Sequence, residues 1–397
     1  MEQVLLFVCL LIFMGFLLIP VSRKLGAPIL LLVLLGGMLV GEDGPGQVRF
    51  DDFSAAYALG SIALAVILFA GGLETDIRKL RGARIPSLLL ATLGVIGTAG
   101  IVGVAASFIL DMPLEQGLLL GAVVGSTDAA ATFLLIQQGR IGLPPRLQNT
   151  LVLESGLNDP MAIFLTIALT SLVNLGEGFS LGALGGFLPL LVLQIGLGTV
   201  AGLAGGWALT YLLDNLTLPD GLYPPMALAG ALSLYALTAV MGGSGFLAIY
   251  LCGLVLAARL KTPIGRVRNF CEGLQWLSQI ALFLMLGLLV TPSALVDMLP
   301  QALAVSVVLM LVARPLAVMT CVVPFRFPMR EQLYLSWVGL RGAVPIFLAI
   351  VPVITPGPIT VEFFNIVFVI VAASLVFQGW TVAPSARWLG IASKDGS

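Results

Sequence analysis

Residues 154–160, Glu-Ser-Gly-Leu-Asn-Asp-Pro, place two carboxylates and an amide inside an apolar segment that runs from about residue 147 to residue 172. Asp159 lies near the middle of this segment, where a charged side chain costs at least ~2.5–3.5 kcal/mol in a membrane-spanning helix. Ser155 is four residues away and shares its helix face. Pro160 has no N–H to donate, which leaves one helical carbonyl oxygen available. These oxygens suit a small hard cation, and a carboxylate also carries a proton, so the stretch predicts a cation or proton site.

The composition indicates an all-α polytopic membrane protein. Of 397 residues, 59% are hydrophobic and 10% are charged, and the mean hydropathy is +1.09. Long apolar runs favour helices over a β-barrel, whose strands alternate in polarity. The net charge of −1 gives no indication of nucleic-acid binding. The sequence has no histidine and its four cysteines are scattered, so we predict no enzyme activity, no cofactor and no disulfide framework.

About thirteen apolar runs follow one another along the chain. They lie at about 4–21, 27–41, 54–73, 85–109, 113–137, 147–172, 181–212, 222–241, 244–260, 271–291, 300–323, 331–353 and 361–388. The first run lacks a basic leader and an obvious cleavage site, so it is expected to be a retained helix and not a signal peptide. The sequence after Leu389 is short and polar, so no soluble domain is expected there.

The charges of the loops predict the orientation. If the N-terminus is outside, sixteen of the 19 basic residues fall in odd-numbered loops and the C-terminal tail, and Arg49 is the one base of the even-numbered loops. The sixteen are Arg23, Lys24, Arg78, Lys79, Arg81, Arg84, Arg140, Arg146, Arg259, Lys261, Arg266, Arg268, Arg326, Arg330, Arg387 and Lys394. Positive loops stay in the cytoplasm, so the N-terminus is predicted outside and the C-terminus inside.

Five ionisable residues lie well inside the spans, away from their ends: Asp128, Glu154, Asp159, Arg314 and Arg341. Arg314 and Glu154 lie at compatible depths on the cytoplasmic side of the middle, so we expect them to pair. Asp128 and Asp159 are then left without an obvious basic partner apart from Arg341. Two carboxylates close together in a low-dielectric site do not both stay ionised without compensation. A cation or a proton that binds between the two carboxylates would supply this compensation. A site that binds the two in turn is the physical basis of an exchanger.

The twelfth span is expected to be broken. Pro345 does not donate to the carbonyl of Arg341, and Gly339 and Gly342 loosen the same turn. In the fifth span, only Gly125 argues for a break. The two spans are seven apart, which fits an inverted repeat of six helices, a linker helix and six helices, with the two broken helices crossing.

Three motifs carry a family resemblance that extends over essentially the whole chain. GSTDAAATF at 125–133, ESGLNDPMAIF at 154–164 and GLRGAVPI at 339–346 resemble the monovalent cation:proton antiporters of the NhaP/NHE type. The similarity is greatest to the bacterial potassium/proton branch, whose members often carry a cytoplasmic regulatory domain after the last helix.

The resemblance implies an NhaA-like inverted repeat and a homodimer. A core bundle would comprise about 85–172 and 300–389, and a dimerisation part about 1–73 and 181–291. Asp159 matches the aspartate that carries ion and proton, and Asn158 implies electroneutral exchange. The other matched residues are Asp128 and Thr127 beside the ion, Ser155 as a hydroxyl ligand, Glu154 and Arg314 as a structural ion pair, and Arg341 as the basic residue of the second broken helix.

The sequence therefore predicts secondary active exchange of K⁺ or Na⁺ for H⁺ at Asp159, in the cytoplasmic membrane of a bacterium, with a role in ion and pH homeostasis. Membrane lipids and a second copy of the chain are the expected partners. A sodium-coupled solute symporter on the same fold is the main alternative. An intramembrane aspartyl protease is disfavoured because the residues before Asp128 are Gly-Ser-Thr and not the usual Gly-x-Gly. A channel is a further alternative that transport rates would distinguish.

Overall fold

The computed structural model describes residues 2–75, 82–139, 141–176, 181–261 and 264–392. This part of the chain is all-helical and contains no β-strand element. Some loop cations that support the predicted orientation lie outside the described residues, namely Arg78, Lys79, Arg81, Arg140 and Lys394. Hydrocarbon offers no water to backbone N–H and C=O groups, and a helix pairs them within one segment, so a sequence this apolar folds into helices.

The helices of the described ranges are numbered in chain order. They are α1 (Glu2–Leu25), α2 (Ile29–Val40), α3 (Phe53–Glu74), α4 (Arg84–Ile109), α5 (Leu114–Val123), α6 (Ala129–Gln138), α7 (Pro145–Leu175), α8 (Leu181–Asn215), α9 (Tyr223–Val240), α10 (Gly245–Arg259), α11 (Ile264–Leu288), α12 (Pro292–Leu295), α13 (Leu299–Phe325), α14 (Met329–Trp337), α15 (Ala343–Leu348), α16 (Ile350–Ile354), α17 (Val361–Phe377) and α18 (Val382–Trp388). Helices α4 and α13 each contain one π-helical turn, at Leu90–Gly94 and Leu309–Ala313.

The helices form two compact units. The first comprises Met1–Tyr57, Ala83–Phe179 and Ile280–Ser397, and the second comprises Ala58–Gly82 and Ser180–Gln279. Helices α3 and α11 each contribute residues to both units. Every residue of the site predicted from the sequence belongs to the first unit. The division into a core bundle and a dimerisation part stays a prediction.

Eight helices of the described part are long and apolar enough to cross a membrane. The number is nine if α17 and α18, which are bent by 48° relative to each other, form one span. Four further apolar helices are shorter: α2, α5, α10, and α15 together with α16. A straight span needs about 20 residues, so shorter helices cross only when tilted, paired with a second segment or buried in protein. The count of about thirteen spans stays a prediction.

Two helical segments of the first unit are interrupted. Residues 124–128 separate α5 from α6, and residues 338–342 separate α14 from α15. The backbone N–H of Asp128 donates to the carbonyl of Leu340 over 2.8 Å, so the two interruptions touch. Pro345 lies in the first turn of α15, where its missing N–H removes no intrahelical hydrogen bond.

Glycines bring α4 and α5 into backbone contact just before the first interruption. A Cβ atom on Gly117 would lie 2.3 Å from the carbonyl oxygen of Gly103, and one on Gly121 would lie 2.2 Å from that of Ala99. Small residues at such crossings let helices in a membrane pack by close van der Waals contact. This contact holds the end of α5, and with it the start of the interruption, in place.

Candidate ion-binding site

Thr127 joins the first interruption to α7. The hydroxyl of Ser155 donates to the carbonyl oxygen of Thr127, and the Asn158 amide nitrogen donates to the Thr127 hydroxyl over 2.7 Å. Thr127, Ser155 and Asn158 are all buried, with Asn158 fully inaccessible to solvent. Ser155 and Asn158 are three residues apart on α7, so one helix face makes both bonds. The structure therefore brings together three of the residues that the sequence singles out.

Asp159 lies beside this junction and close to the second carboxylate. Its charge interacts with that of Asp128. Among the described residues, Asp159 Oδ1 accepts no hydrogen bond, the Ser126 hydroxyl lies near the carboxyl group, and Asp159 takes part in none of the ion pairs. The Asn158 amide oxygen is also buried without a hydrogen-bond donor in this part of the chain. A buried acceptor without a donor is costly unless a cation, a proton or water satisfies it.

Asp128 stabilises the start of α6 while it faces the second interruption. Its Oδ1 accepts the N–H of Ala131 over 3.0 Å, which makes it the N-cap of α6. Capping of this kind satisfies one of the helix's unpaired donors. A Cβ atom on Gly342 would lie 2.3 Å from Asp128 Oδ2. The absence of a side chain at position 342 therefore makes room for this carboxylate.

Arg341 binds backbone carbonyls of the first interruption. Its Nη1 donates to the carbonyl of Gly125 over 2.8 Å and to that of Ser126. The side chain is almost completely buried, at 1% exposure. An unwound segment inside a membrane protein leaves carbonyls without helical partners, and a guanidinium supplies several donors to them. Arg341, which belongs to the second interruption, thus supplies hydrogen bonds to carbonyls that the break between α5 and α6 leaves without helical partners.

A second set of hydrogen bonds holds Arg341 itself. Its backbone N–H donates to the Ser374 hydroxyl over 3.1 Å, and that hydroxyl donates to Gln378 Oε1 over 2.5 Å. The Gln378 amide nitrogen donates to the carbonyl of Trp337 over 2.7 Å. Neither Ser374 nor Gln378 was among the residues predicted from the sequence. Their signal was a hydroxyl and an amide four residues apart in the last apolar span, where each needs a partner.

Glu154 and Arg314 form a buried ion pair next to the site. Glu154 Oε1 lies 2.5 Å from Arg314 Nη1, and the side chains are 1% and 3% exposed. A Cβ atom on Gly339 would lie 2.8 Å from Arg314 Nε, so this glycine leaves space for the guanidinium. Each charge of the pair compensates the other in a region where an unpaired ion would be costly.

The site offers hard oxygen ligands and not the nitrogen or sulfur ligands of a typical transition-metal centre. Among the described residues, no group of three or more His, Cys, Asp and Glu side chains could hold a metal ion. The carboxylates of Asp128 and Asp159, with hydroxyl and carbonyl oxygens nearby, are hard ligands. Alkali and alkaline-earth cations prefer ligands of this kind. The chemistry that this arrangement supports is reversible binding of a cation or a proton.

Replacing Gly342 by alanine should damage the site. The new methyl group would overlap Asp128 Oδ2, and overpacking of this kind costs about 1–3 kcal/mol. We expect Gly342→Ala to lower the melting temperature of the purified protein. Gly100→Ala is the matched control, because a Cβ atom on that helical glycine meets no atom within 4 Å. Equal melting temperatures for the two variants would contradict the close approach of Gly342 to Asp128.

The fold and the site together define a multi-pass helical membrane protein with two touching helix interruptions, where Asp128 lies at the first interruption and Asp159 lies on α7 beside it. Residues 9–388 match the transmembrane sodium/hydrogen exchanger family. The chain belongs to the sodium/hydrogen exchanger family.

Two relatives are named as potassium/proton antiporters. The chain is 46% identical over 93% of its length to the K(+)/H(+) antiporter NhaP of Alkalimonas amylolytica. It is 46% identical over 94% of its length to the K(+)/H(+) antiporter NhaP2 of Shewanella oneidensis. The chain spans 64% of the length of each of these relatives. The relatives are antiporters, which agrees with the prediction that this family member is a transporter and not an enzyme.

The fold matches a solved antiporter. The structure of the sodium proton antiporter MjNhaP1 from Methanocaldococcus jannaschii at pH 8 superposes with a TM-score of 0.84. The match covers 98% of this chain and 99% of that chain at 24% sequence identity. The likeness at this identity establishes the shared fold.

Proposed function

We propose that this protein exchanges K⁺ or Na⁺ for H⁺ by binding each in turn at Asp159. The observation that carries this proposal is the Asp159 carboxylate, which is placed beside Asp128 with one oxygen that accepts no hydrogen bond in the described part of the chain. Asp128, Ser155 and Thr127 contribute the further oxygens around the cation. When the cation leaves, a proton takes its place, because an unpaired carboxylate in hydrocarbon is costly.

The exchange is one charge for one charge in this proposal. Asn158 is neutral and its amide nitrogen already donates to Thr127. Asp159 is therefore the one residue of the Asn158–Asp159 pair that carries a charge. A proton neutralises this charge in one half of the cycle, and a cation balances it in the other half. Asp128 remains the cap of α6 throughout the cycle. One cation crosses the membrane for each proton that crosses in the opposite direction. No net charge moves in a cycle, so the transport rate does not depend on the membrane voltage.

Potassium is the favoured cation. The relatives at 46% identity are named for K⁺, whereas a sodium/proton antiporter of Aphanothece halophytica is 27% identical over 91% of the chain. The sodium-coupled symporter is not favoured by these relatives. No coenzyme takes part, since both transported ions bind protein oxygens directly.

The transport cycle rests on an inverted repeat in the proposed topology. About thirteen spans, with the N-terminus outside and the C-terminus in the cytoplasm, place the segments α5–α6 and α14–α15 seven spans apart as symmetry mates. Their touching interruptions, joined by the hydrogen bond from Asp128 to Leu340, support the crossing. We place the protein in the bacterial cytoplasmic membrane as a homodimer, where it contributes to ion and pH homeostasis.

The test is a transport assay on purified protein in liposomes that carry an acidic interior and a pH-sensitive dye. We expect external K⁺ to dissipate the pH gradient, with a rate that is unchanged when an ionophore clamps the voltage. A response to Na⁺ and not to K⁺ would show that sodium is the transported cation. A voltage-sensitive rate would contradict the one-to-one exchange, and silence with K⁺, Na⁺ and Li⁺ would contradict antiport.

A further inference from the structure

We propose that a file of buried water runs along the C-terminal half of α7 and conducts the proton between Asp159 and the outer surface. This inference goes beyond the ion site and rests on the proposed function and topology. It assigns roles to Thr166, Thr170 and Asn174, which take no part in binding the cation.

Three buried oxygens on this half of α7 have no protein partner. Thr166 Oγ1, Thr170 Oγ1 and Asn174 Oδ1 are each inaccessible to solvent and, within the described residues, form no hydrogen bond. Thr166 is 0% exposed and Thr170 is 3% exposed. Polar atoms buried in this way are as a rule hydrogen bonded to ordered water.

Other helical threonines of this protein behave differently. The hydroxyls of Thr210, Thr238 and Thr355 each donate over 2.7 Å to the carbonyl four residues earlier. That local bond is the ordinary way for a threonine to satisfy its hydroxyl inside a helix. Thr166 and Thr170 do not make it, so the rotamers of both hydroxyls leave them available to a partner off the helix.

The three residues share one face of α7 with Asp159. Residues 166, 170 and 174 follow each other at intervals of four, and Asp159 lies seven residues before the first, so all four lie within about 80° on the helical wheel. Successive intervals of four correspond to a rise of about 6 Å. One water with hydrogen bonds of about 2.8 Å on either side bridges such a gap. The spacing therefore fits a single file of water.

The second broken segment and the loop after it both approach α7. Helices α15 and α16 pack against α7. A Cβ atom on Gly357 would lie 1.9 Å from Asn174 Oδ1, so the loop after α16 closes over the end of the stripe. The missing side chain at Gly357 leaves the room that the amide occupies at the outer mouth.

Ile163 interrupts the stripe next to the ion site. It lies on the same face as Asp159 and Thr166, one turn from each, and is 6% exposed. An apolar side chain at this position interrupts the polar face between Thr166 and Asp159. Displacement of Ile163 would connect them, so this residue is the closed point of the path.

A proton suits this path better than the cation does. Thr166 and Asn174 are about 12 Å apart along the helix axis, so no single cation binds all three oxygens at once. Hydroxyl groups both donate and accept, which lets a chain of water and threonine hydroxyls pass a proton from one oxygen to the next. The path thus supplies H⁺ while the cation uses the oxygens of the ion site.

Silver ions test the water file without relying on transport. The four native cysteines are first replaced by alanine, and Thr166→Cys, Thr170→Cys and the control Ile167→Cys are then made singly. Ile167 is 37% exposed and follows Thr166 directly, so it lies at the same depth of α7 but outside the buried stripe. Ag⁺ is added outside intact right-side-out vesicles, and the remaining thiols are counted with a fluorescent maleimide after denaturation.

We expect Ag⁺ to block the thiols at 166 and 170 at least about tenfold faster than the thiol at 167, because a metal ion reaches a thiol through water and not through lipid. Equal rates at the three positions would overturn the water file. This result is independent of the proposed antiport, because it is read on vesicles that perform no transport.

Thr170→Val tests the passage of the proton. Valine keeps the shape of threonine and removes the hydroxyl. We expect H⁺-driven K⁺ uptake to fall about tenfold, the effect of a barrier raised by about 1.4 kcal/mol, while exchange of K⁺ for Rb⁺, which needs no proton, keeps its wild-type rate. Thr355→Val is the matched control, because its hydroxyl bonds its own helix. A parallel fall in both exchange modes, or a fall in neither, would refute the proton path.

The converse variant opens the closed point. Ile163→Thr would extend the polar stripe to Asp159. We expect it to raise the H⁺ leak of liposomes that contain choline as the one monovalent cation, because a proton that reaches Asp159 from outside can leave when the ion site faces the cytoplasm. Ile163→Val, which stays apolar, should keep the leak at the wild-type level. An unchanged leak in Ile163→Thr would remove Ile163 as the barrier. If wild-type protein shows no exchange, the proposed function fails. The silver experiment still decides whether a water file runs along the C-terminal half of α7.

Discussion

Asp159→Asn is expected to abolish cation-driven proton movement in proteoliposomes while the protein still folds. The substitution keeps the shape of the side chain but removes the group that takes a cation and a proton in turn. Asp128 lies close by, so removal of the charge at position 159 also removes the repulsion between the two carboxylates. The variant should therefore melt at the wild-type temperature or above it.

Ligand-induced stabilisation provides a second measurement on the same variant. A ligand that binds only the folded protein stabilises it by about 2.7 kcal/mol at a concentration of 100 times its dissociation constant. We expect added K⁺ to raise the melting temperature of the wild type and to leave that of Asp159→Asn unchanged. Asp297→Asn, at an exposed position, is the control and should behave as the wild type. Full exchange activity in Asp159→Asn would refute the mechanism.

Breaking the ion pair between Glu154 and Arg314 should have the largest effect on stability. Their charged atoms are 2.5 Å apart and both side chains are nearly inaccessible to solvent. Removal of one partner leaves the other charge buried and unpaired, which costs about 3–5 kcal/mol. We expect Glu154→Gln to lower the melting temperature sharply and to reduce the yield of folded protein. Thermal denaturation of the purified variants measures this effect.

The double variant separates charge from shape. Glu154→Gln combined with Arg314→Met removes both charges, and a buried pair replaced by neutral groups of similar volume is often neutral in stability. We expect the double variant to recover most of the stability that Glu154→Gln loses, so the two effects should be far from additive. If Glu154→Gln alone melts at the wild-type temperature, the pair has no structural role.

The residues of the site could be selected from the sequence because charge is expensive in hydrocarbon. Asp128, Glu154, Asp159, Arg314 and Arg341 stand out in apolar runs without any knowledge of packing. Pro345 and its neighbouring glycines likewise pointed to an interruption in α14–α15. The weaker signal in α5–α6, a single glycine, corresponds to an interruption of the same length. Helix breaks depend on which carbonyls find partners elsewhere, and the local sequence does not contain those partners.

The sequence by itself determined that the chain is a bundle of apolar helices, which residues are charged within them, and the family to which it belongs. Tertiary structure decided which groups meet. It brings Thr127 to Ser155 and Asn158, directs Arg341 to the carbonyls of the first interruption, and leaves the hydroxyls of Thr166 and Thr170 without a hydrogen bond within the described residues. The reason is that helix periodicity sets the face on which a side chain lies, whereas a hydrogen bond across 28 or 216 residues depends on how two segments pack.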